Sequence, residues 1–425
     1  MKNIIPKRII TVLDVLKEAG YEAYLVGGCV RDFILDKEAK DFDITTNATV
    51  IEMLDIFKNF HVINNNGLKH NTVSIHFEDD IIEITSFRSE DYIIYGDLKK
   101  RDLTINAIAY NGEFVDPLNG IDDINNKIIR ACSPTSFKED YLRILRTLRF
   151  SSILGFSIDE DTKRMIKEEY KGLETVSVER ITKELCLILQ GQNVLNVLEE
   201  FKEVFTFIIP ELEPTIDFKQ HNKWHLYDVY THTTHVVNNA MDDYIVRVAA
   251  LLHDIGKPNT FTMDEAGNGH FYGHPLESYH ISKKILKRLR FSLKDTYDIL
   301  YLILNHDDVP RSKKSIKRLL SKSPECSVDT FLKLINLQLA DRKDHVNSVN
   351  DPDLDFITKT INEIIEEENC LSIKDLKVNG HDLMELGFYE RRIKEVQETL
   401  LNLILDEKLE NDKEVLIEYI KSNLI

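Results

Sequence analysis

Apolar residues recur along this chain with two different periods. Ile9, Ile10, Val12, Leu13, Val15 and Leu16 repeat at helical spacing between residues 7 and 19, and Gly20 follows as a stop, which predicts an opening helix. Short runs of strand character come next: Ala23 to Val26, Phe42 to Thr45, Val73 to Phe77, Ile81 to Thr85 and Ile105 to Tyr110. With helical stretches between them, these runs predict a compact α/β head with a small mixed sheet. From Ser136 onward the period is helical. The expected class is α+β, in four parts: a head over 1–135, a helical neck over 136–192, a helical body over 193–345 and a helical tail over 346–425. Asp351-Pro352-Asp353 reads as the linker before the tail.

Bulk properties narrow the class. A length of 425 residues suits about three domains. No apolar run approaches the roughly 18 residues of a membrane span, and residues 1–7 lack the apolar core of an export signal. A cytoplasmic chain with no membrane partner is expected. Cys29, Cys132, Cys186, Cys326 and Cys370 are odd in number and without Cys-x-x-Cys spacing, which argues against a disulfide framework or a zinc ribbon.

The net charge of −18 argues at first against a nucleic-acid partner, but it is unevenly spread. Residues 351–425 hold 19 Asp and Glu against 9 Lys and Arg. Two basic helical stretches lie upstream: Lys283, Lys284, Lys287, Arg288 and Arg290, then Arg311, Lys313, Lys314, Lys317, Arg318 and Lys322. Each reads equally well as a solvated helix face or as a surface for an RNA backbone.

Chemistry concentrates first in residues 25–46. Gly27-Gly28 after an apolar run mark a strand ending in a turn where backbone can approach a phosphate, and Arg31 supplies a fork that matches phosphate oxygens. Asp41 and Asp43, two apart in a segment of strand character, are expected on one side of a sheet as a platform for divalent metal. Glu83, on the alternating run Ile81 to Thr85, is a candidate third carboxylate. Asp140, Arg143, Arg146 and Arg149 recur three apart and predict a polar stripe on one helix, with Arg149 drifting round its edge. An aspartate and an arginine there can match the Watson–Crick edges of cytosine and adenine.

Gly27-Gly28-x-Val30-Arg31-Asp32 with Asp41-x-Asp43, Lys100-Arg101-Asp102-Leu103-Thr104-Ile105-Asn106-Ala107, Asp116-Pro117-x-x-Gly120, and Glu139-Asp140-x-x-Arg143-x-x-Arg146-x-x-Arg149 follow one another in order. Together they resemble the class II tRNA nucleotidyltransferase and bacterial poly(A) polymerase family. The resemblance implies a nucleotidyltransferase head in which Asp41 and Asp43 hold two Mg²⁺ ions. It implies that Gly28, Arg31 and Arg101 contact the triphosphate, and that Asp140 and Arg143 select the base. Its substrates would be tRNA, CTP and ATP. Asp102 and Asn106 are expected to order the local backbone. One departure stands out: between Glu90 and Asp97 only residues 91–96 intervene, where family members usually carry a longer loop. Members that add only CC typically have it shortened.

The body holds a second constellation. Nine of the 14 histidines lie between His221 and His306. His232, the doublet His253-Asp254 in Leu251-Leu252-His253-Asp254-Ile255-Gly256-Lys257, and Asp341 offer imidazole and carboxylate donors suited to a transition metal such as Ni²⁺ or Mn²⁺. This set resembles the HD phosphohydrolase superfamily. His274 and His306 are candidates for a second metal position, whereas His235 and His280 read as packing residues and His270 as a loop residue.

The resemblance implies a tRNA nucleotidyltransferase that adds CCA and carries a phosphohydrolase activity at the HD-type site; the alternatives are CC addition alone, poly(A) polymerisation, and hydrolysis at the HD-type site with the head serving only for binding. Val378-Asn379-Gly380-His381-Asp382-Leu383 adds family character to the tail.

Overall fold

The computed structural model describes residues 5–39, 41–63, 71–77, 80–89, 92–221, 227–343, 353–367 and 370–424. They fall into two compact units, 1–193 and 194–425. The chain is α+β, with a head built on a mixed sheet followed by helices. No helix among the described residues is long and apolar enough to cross a membrane.

The first unit opens with α1 (Lys7–Glu18), β1 (Ala23–Val26), α2 (Gly28–Ile34), β2 (Asp43–Thr46), α3 (Val50–Ile56), β3 (His61–Ile63), β4 (Thr72–Phe77) and β5 (Asp80–Ser86). It continues through α4 (Ile94–Lys99), β6 (Ala109–Tyr110), β7 (Phe114–Val115) and α5 (Gly120–Asn125). The seven strands pair in the order β3-β4-β5-β2-β1-β6-β7. Only β2 and β5 run parallel, which sets Asp43 directly beside Glu83. Because residues in register point to the same face, both carboxylates lie on one side of the sheet.

Two strand expectations need correction. The run from Ile105 is not a strand until Ala109: Thr104–Asn106 form a 3₁₀ turn. Polar anchors impose it, since Thr104 Oγ1 donates to Asp123 at 2.7 Å while Asn106 is held between Arg31 and Asp102. Asp41 lies two residues ahead of β2 rather than on it, so sheet alternation does not fix its side chain.

A short pairing of β8 (Ile128–Ile129) with β9 (Ser157–Ile158) brackets α6 (Ser136–Glu139) and α7 (Leu142–Leu154), after which α8 (Glu160–Glu169) and α9 (Val178–Leu189) close the unit. Asp140 is extended, with φ −155° and ψ 105°, and stands outside α7, contrary to the single helical stripe expected of residues 140–149. The break costs little, because its carboxylate accepts the Leu142 N–H at 3.1 Å and caps the new helix.

In the second unit, α10 (Val194–Glu200) and α11 (Lys202–Ile208) precede α12 (Val229–Asn239), α13 (Tyr244–Leu252) and α14 (Lys257–Thr260). A two-stranded hairpin, β10 (Thr262–Met263) and β11 (Gly269–His270), leads into α15 (His274–Arg288) and α16 (Leu293–Asn305), and then α17 (Lys313–Lys322) and α18 (Val328–Arg342). The remaining helices are α19 (Leu354–Glu366), α20 (Gly380–Glu385), α21 (Arg391–Leu405) and α22 (Lys413–Asn423). Val378, Leu383, Leu400, Leu416 and Ile420 form a separate core for the last three. Asn379 and Asp382 make a capping box at the start of α20, which gives that segment a structural role. Asp351 and Pro352 of the expected linker lie outside the described residues.

The basic stretch on α17 is spent within the unit. Lys313 pairs with Glu367 at 2.8 Å, Lys314 and Arg318 with Asp406, and Lys317 with Glu407 at 3.2 Å. These cations therefore answer the acidic tail rather than standing as a plain solvated face. Arg288 of the other stretch bonds Glu211 and the Ile208 carbonyl.

Candidate active sites

Gly27 turns the chain from β1 into α2 at φ +77°, a left-handed conformation that costs an L side chain strain. A Cβ there would stand 3.3 Å from Asp43 Oδ2 and 3.6 Å from the Arg101 guanidinium. The turn faces a cavity of about 640 Å³ that Gly28, Arg31, Asp41, Asp43 and Arg101 line together. Asp140, Arg143, Arg146 and Arg149 open onto the same cavity. The structure thus brings these nine expected head and neck residues to one place, but not Glu83. Glu83, with Asp43, Arg88 and Arg101, lines an adjoining cavity of about 500 Å³.

The arginines are preset rather than loose. Arg31 donates to Asp32 at 2.8 Å and to Asn106 at 2.8 Å, and its guanidinium lies 5.0 Å from the centre of the Phe150 ring. Arg101 grips Asp97 through Nε and Nη2, at 3.1 and 2.9 Å. Arg143 is held by the Ser136 and Lys100 carbonyls and by Glu139, and Arg149 by Glu184. Arg146 reaches Asp102 at 2.6 Å. Holding long side chains in one geometry before a ligand arrives lowers the ordering cost of binding.

Burial raises the Asp43 pKa above its usual value, and the Arg101 and Arg88 charges only partly offset it. Burial also pushes on Asp102, but there Arg146 outweighs it and the carboxyl falls below 3.8. Asp102 accepts from the Leu103 N–H, Asn106 and Arg146, so it orders backbone and arginine together. Asp41 and Asp43 form an oxygen-only donor set at the cavity, the chemistry a hard divalent ion requires.

Four cavity residues had no site role assigned from the sequence: Arg88, Leu142, Phe150 and Arg180. Arg88 and Arg180 stand among many exposed cations, Leu142 belongs to an apolar stripe, and Phe150 ends the arginine motif. Only their convergence on the cavity distinguishes them. Of the short loop at 91–96, Asp91 lies outside the described residues, while Ile94 to Gly96 form the first turn of α4.

In the second unit, α12, α13, α15, α16 and α18 deliver His232, His253-Asp254, His274, His306 and Asp341 to one buried cluster. Among the described residues, three groupings could hold a metal ion: His232, His253 and Asp341; His253, Asp254 and His306; and His274, His306 and Asp307. Asp254 lies between them, with Oδ2 at 3.2 Å from His253 and Oδ1 at 3.3 Å from His274. His253, His274 and His306 each place Nδ1 on a backbone carbonyl, at 2.7, 2.9 and 2.7 Å. That contact orients each ring and turns its Nε2 toward the cluster.

The buried His253 Nε2 and Asp254 Oδ1 make ion-pair contacts within the cluster but no hydrogen bond of good geometry, a donor set that suits a cation. Burial opposes charge on His253, yet Asp254 and Asp341 outweigh it and hold its pKa up at about 10. Lys257 lies 2.6 Å from Asp254 Oδ2. His235 stacks on Tyr227 away from the cluster.

The chain matches the Poly A polymerase head domain over residues 23–130, the probable RNA- and SrmB-binding site of polymerase A over 155–216, and the HD domain over 225–343. Among curated proteins it is 39% identical over 214 residues to a CCA-adding enzyme of Staphylococcus epidermidis, covering 46% of this chain and 53% of that one. It is 40% identical over 208 residues to one from Lactobacillus helveticus, covering 45% and 51%. The chain thus spans about half the length of these curated relatives. Among solved structures, the Bacillus stearothermophilus CCA-adding enzyme in complex with CTP superposes with a TM-score of 0.74 at 24% identity over 98% of each chain. The Thermotoga maritima CCA-adding enzyme complexed with tRNA superposes with a TM-score of 0.60 at 21% identity, over 99% of this chain and 96% of that one.

Proposed function

We propose that the chain is a tRNA nucleotidyltransferase of the poly(A) polymerase type with an HD domain, and that it adds CCA to tRNA 3′ ends from CTP and ATP. One observation carries the reading: the Asp41 and Asp43 carboxylates share a single cavity with Arg31, Arg101, Asp140 and Arg143. Asp41 and Asp43 would hold Mg²⁺, which supplies neutralisation of charge at the α-phosphate and on the departing pyrophosphate. Arg31 and Arg101 receive the triphosphate beside Gly28. The RNA 3′-hydroxyl attacks the α-phosphorus in line, forming a P–O bond as the bond to pyrophosphate breaks. Asp140 and Arg143 read the base edge, with Arg146 and Arg149 completing that wall.

The test is extension of a tRNA ending before CCA and of one ending in CC, with Mg²⁺, CTP and ATP and the products sequenced. CCA on the first and A on the second are expected. Arrest after CC would assign the shortened segment at 91–96 to a CC-adding enzyme, and long A tracts would assign a poly(A) polymerase.

A second reading rests on the buried His253 Nε2 and Asp254 Oδ1. His232, His253, Asp254 and Asp341 would hold one transition metal ion, with His274 and His306 serving a second, for hydrolysis of phosphate esters at RNA ends. Water adds to phosphorus and one ester P–O bond breaks. Asp41→Ala and His253→Ala, made separately, should each abolish a different activity.

A further inference from the structure

Beside the histidine and aspartate cluster stands an aromatic that neither reading uses. Tyr272 is 78% exposed, and it lines the same cavity, of about 370 Å³, as Asp254, His274, His306 and Asp341. Exposure of a tyrosine in a loop is ordinary. Its restraint is less so: the ring lies within 9° of parallel to the His270 imidazole, centroids 5.3 Å apart, with its hydroxyl 3.4 Å from His270 Nδ1. His270 Nε2 in turn lies 3.2 Å from Asp264 Oδ2.

The segment beneath is anchored from the opposite face. Phe271 packs on Phe261, and the Lys257 ammonium sits 5.4 Å from its ring centre. The Gly269 N–H donates to the His221 carbonyl at 2.8 Å. A Cβ on Gly269 would meet the Gln220 carbonyl oxygen at 2.3 Å, so only glycine allows the hairpin to seat there.

We propose that Tyr272, backed by His270, is the platform on which the nucleobase of a nucleotide or RNA-end substrate stacks while its phosphate lies at the His274 and Asp254 end of the cavity. The inference rests on the hydrolase reading. Tyr272 stands two residues, at most about 7 Å of backbone, from His274. That span matches a base held one sugar away from its phosphate. A planar ring backed by a parallel imidazole and largely open to solvent accepts any base, because every base has a π-face.

The experiment uses the full chain loaded with Mn²⁺ and compares two substrates, adenosine 2′,3′-cyclic phosphate and methyl riboside 2′,3′-cyclic phosphate, which lacks a base. Tyr272→Ala should raise KM about tenfold for the adenosine ester, with kcat held and the riboside unaffected, and Tyr272→Phe should restore the wild-type KM. Equal effects of Tyr272→Ala on both esters, or none on either, would overturn the platform alone. If the wild-type chain hydrolyses neither ester, the hydrolase reading falls and the platform with it.

Discussion

Arg180 donates to Asp140 Oδ2 at 2.8 Å, joining α9 to the residue just ahead of α7. The other carboxylate oxygen already caps Leu142, so Asp140 is oriented by two partners before any nucleotide arrives. Arg180 thereby acts as a positioning residue for the proposed base edge.

Removing that partner should cost selectivity more than stability. For Arg180→Ala, the preference in kcat/KM for CTP and ATP over UTP and GTP should fall about tenfold, in line with the 1–3 kcal/mol a good base-edge pair contributes. A half-exposed ion pair adds at most about 1 kcal/mol to folding. Unchanged selectivity across the four triphosphates would overturn the positioning role of Arg180.

Gly27→Ala tests the turn. A side chain at φ +77° costs roughly 1–2 kcal/mol and crowds Asp43. Nucleotide transfer should fall at least tenfold, while hydrolysis by the other unit is untouched. Equal losses in both activities would point to general unfolding.

Asp102 predicts a pH signature. Its pKa is depressed in the folded chain, so the stability it contributes is fully present above the unfolded value near 3.8 and is lost as pH falls through the folded value. Leaving Arg146 without this partner should cost about 1 kcal/mol at pH 7, less than for a buried pair because a third of the arginine side chain is open to solvent. In urea unfolding, the gap between wild type and Asp102→Asn should narrow as pH drops below about 4. A gap constant from pH 7 to pH 3 would refute the ion-pair account.

Metal content separates the two sites. Elemental analysis of the purified chain should find transition metal that is lost in His253→Ala and kept in Asp41→Ala. Chelation of that metal should abolish ester hydrolysis. Transfer activity should return when Mg²⁺ alone is restored. Equal transition-metal content in wild type and His253→Ala would show that the cluster binds none.

Much of this was legible in the linear chain because local periodicity is a local property. The opening helix and the strand at Ala23 to Val26 follow from apolar spacing and stop signals that act within a few residues. The strand expected from Ile105 failed for a complementary reason. Arg31 and Asp123 hold that segment through hydrogen bonds formed across 75 and 19 positions, which no window of neighbouring residues contains.

The candidate sites divide along the same line. Chemical type is written in the sequence: paired carboxylates, clustered histidines and arginines three apart state which ions and phosphates they suit. Tertiary structure alone decided that Asp140 leaves its helix to meet Arg180, that Glu83 lies beside Asp43, and that the basic face of α17 answers the acidic tail. It also set Tyr272 against His270 at the mouth of the histidine cluster. Donor chemistry belongs to single residues, whereas convergence depends on how packed elements bring distant backbone segments within bonding distance, and that was settled only when the chain folded.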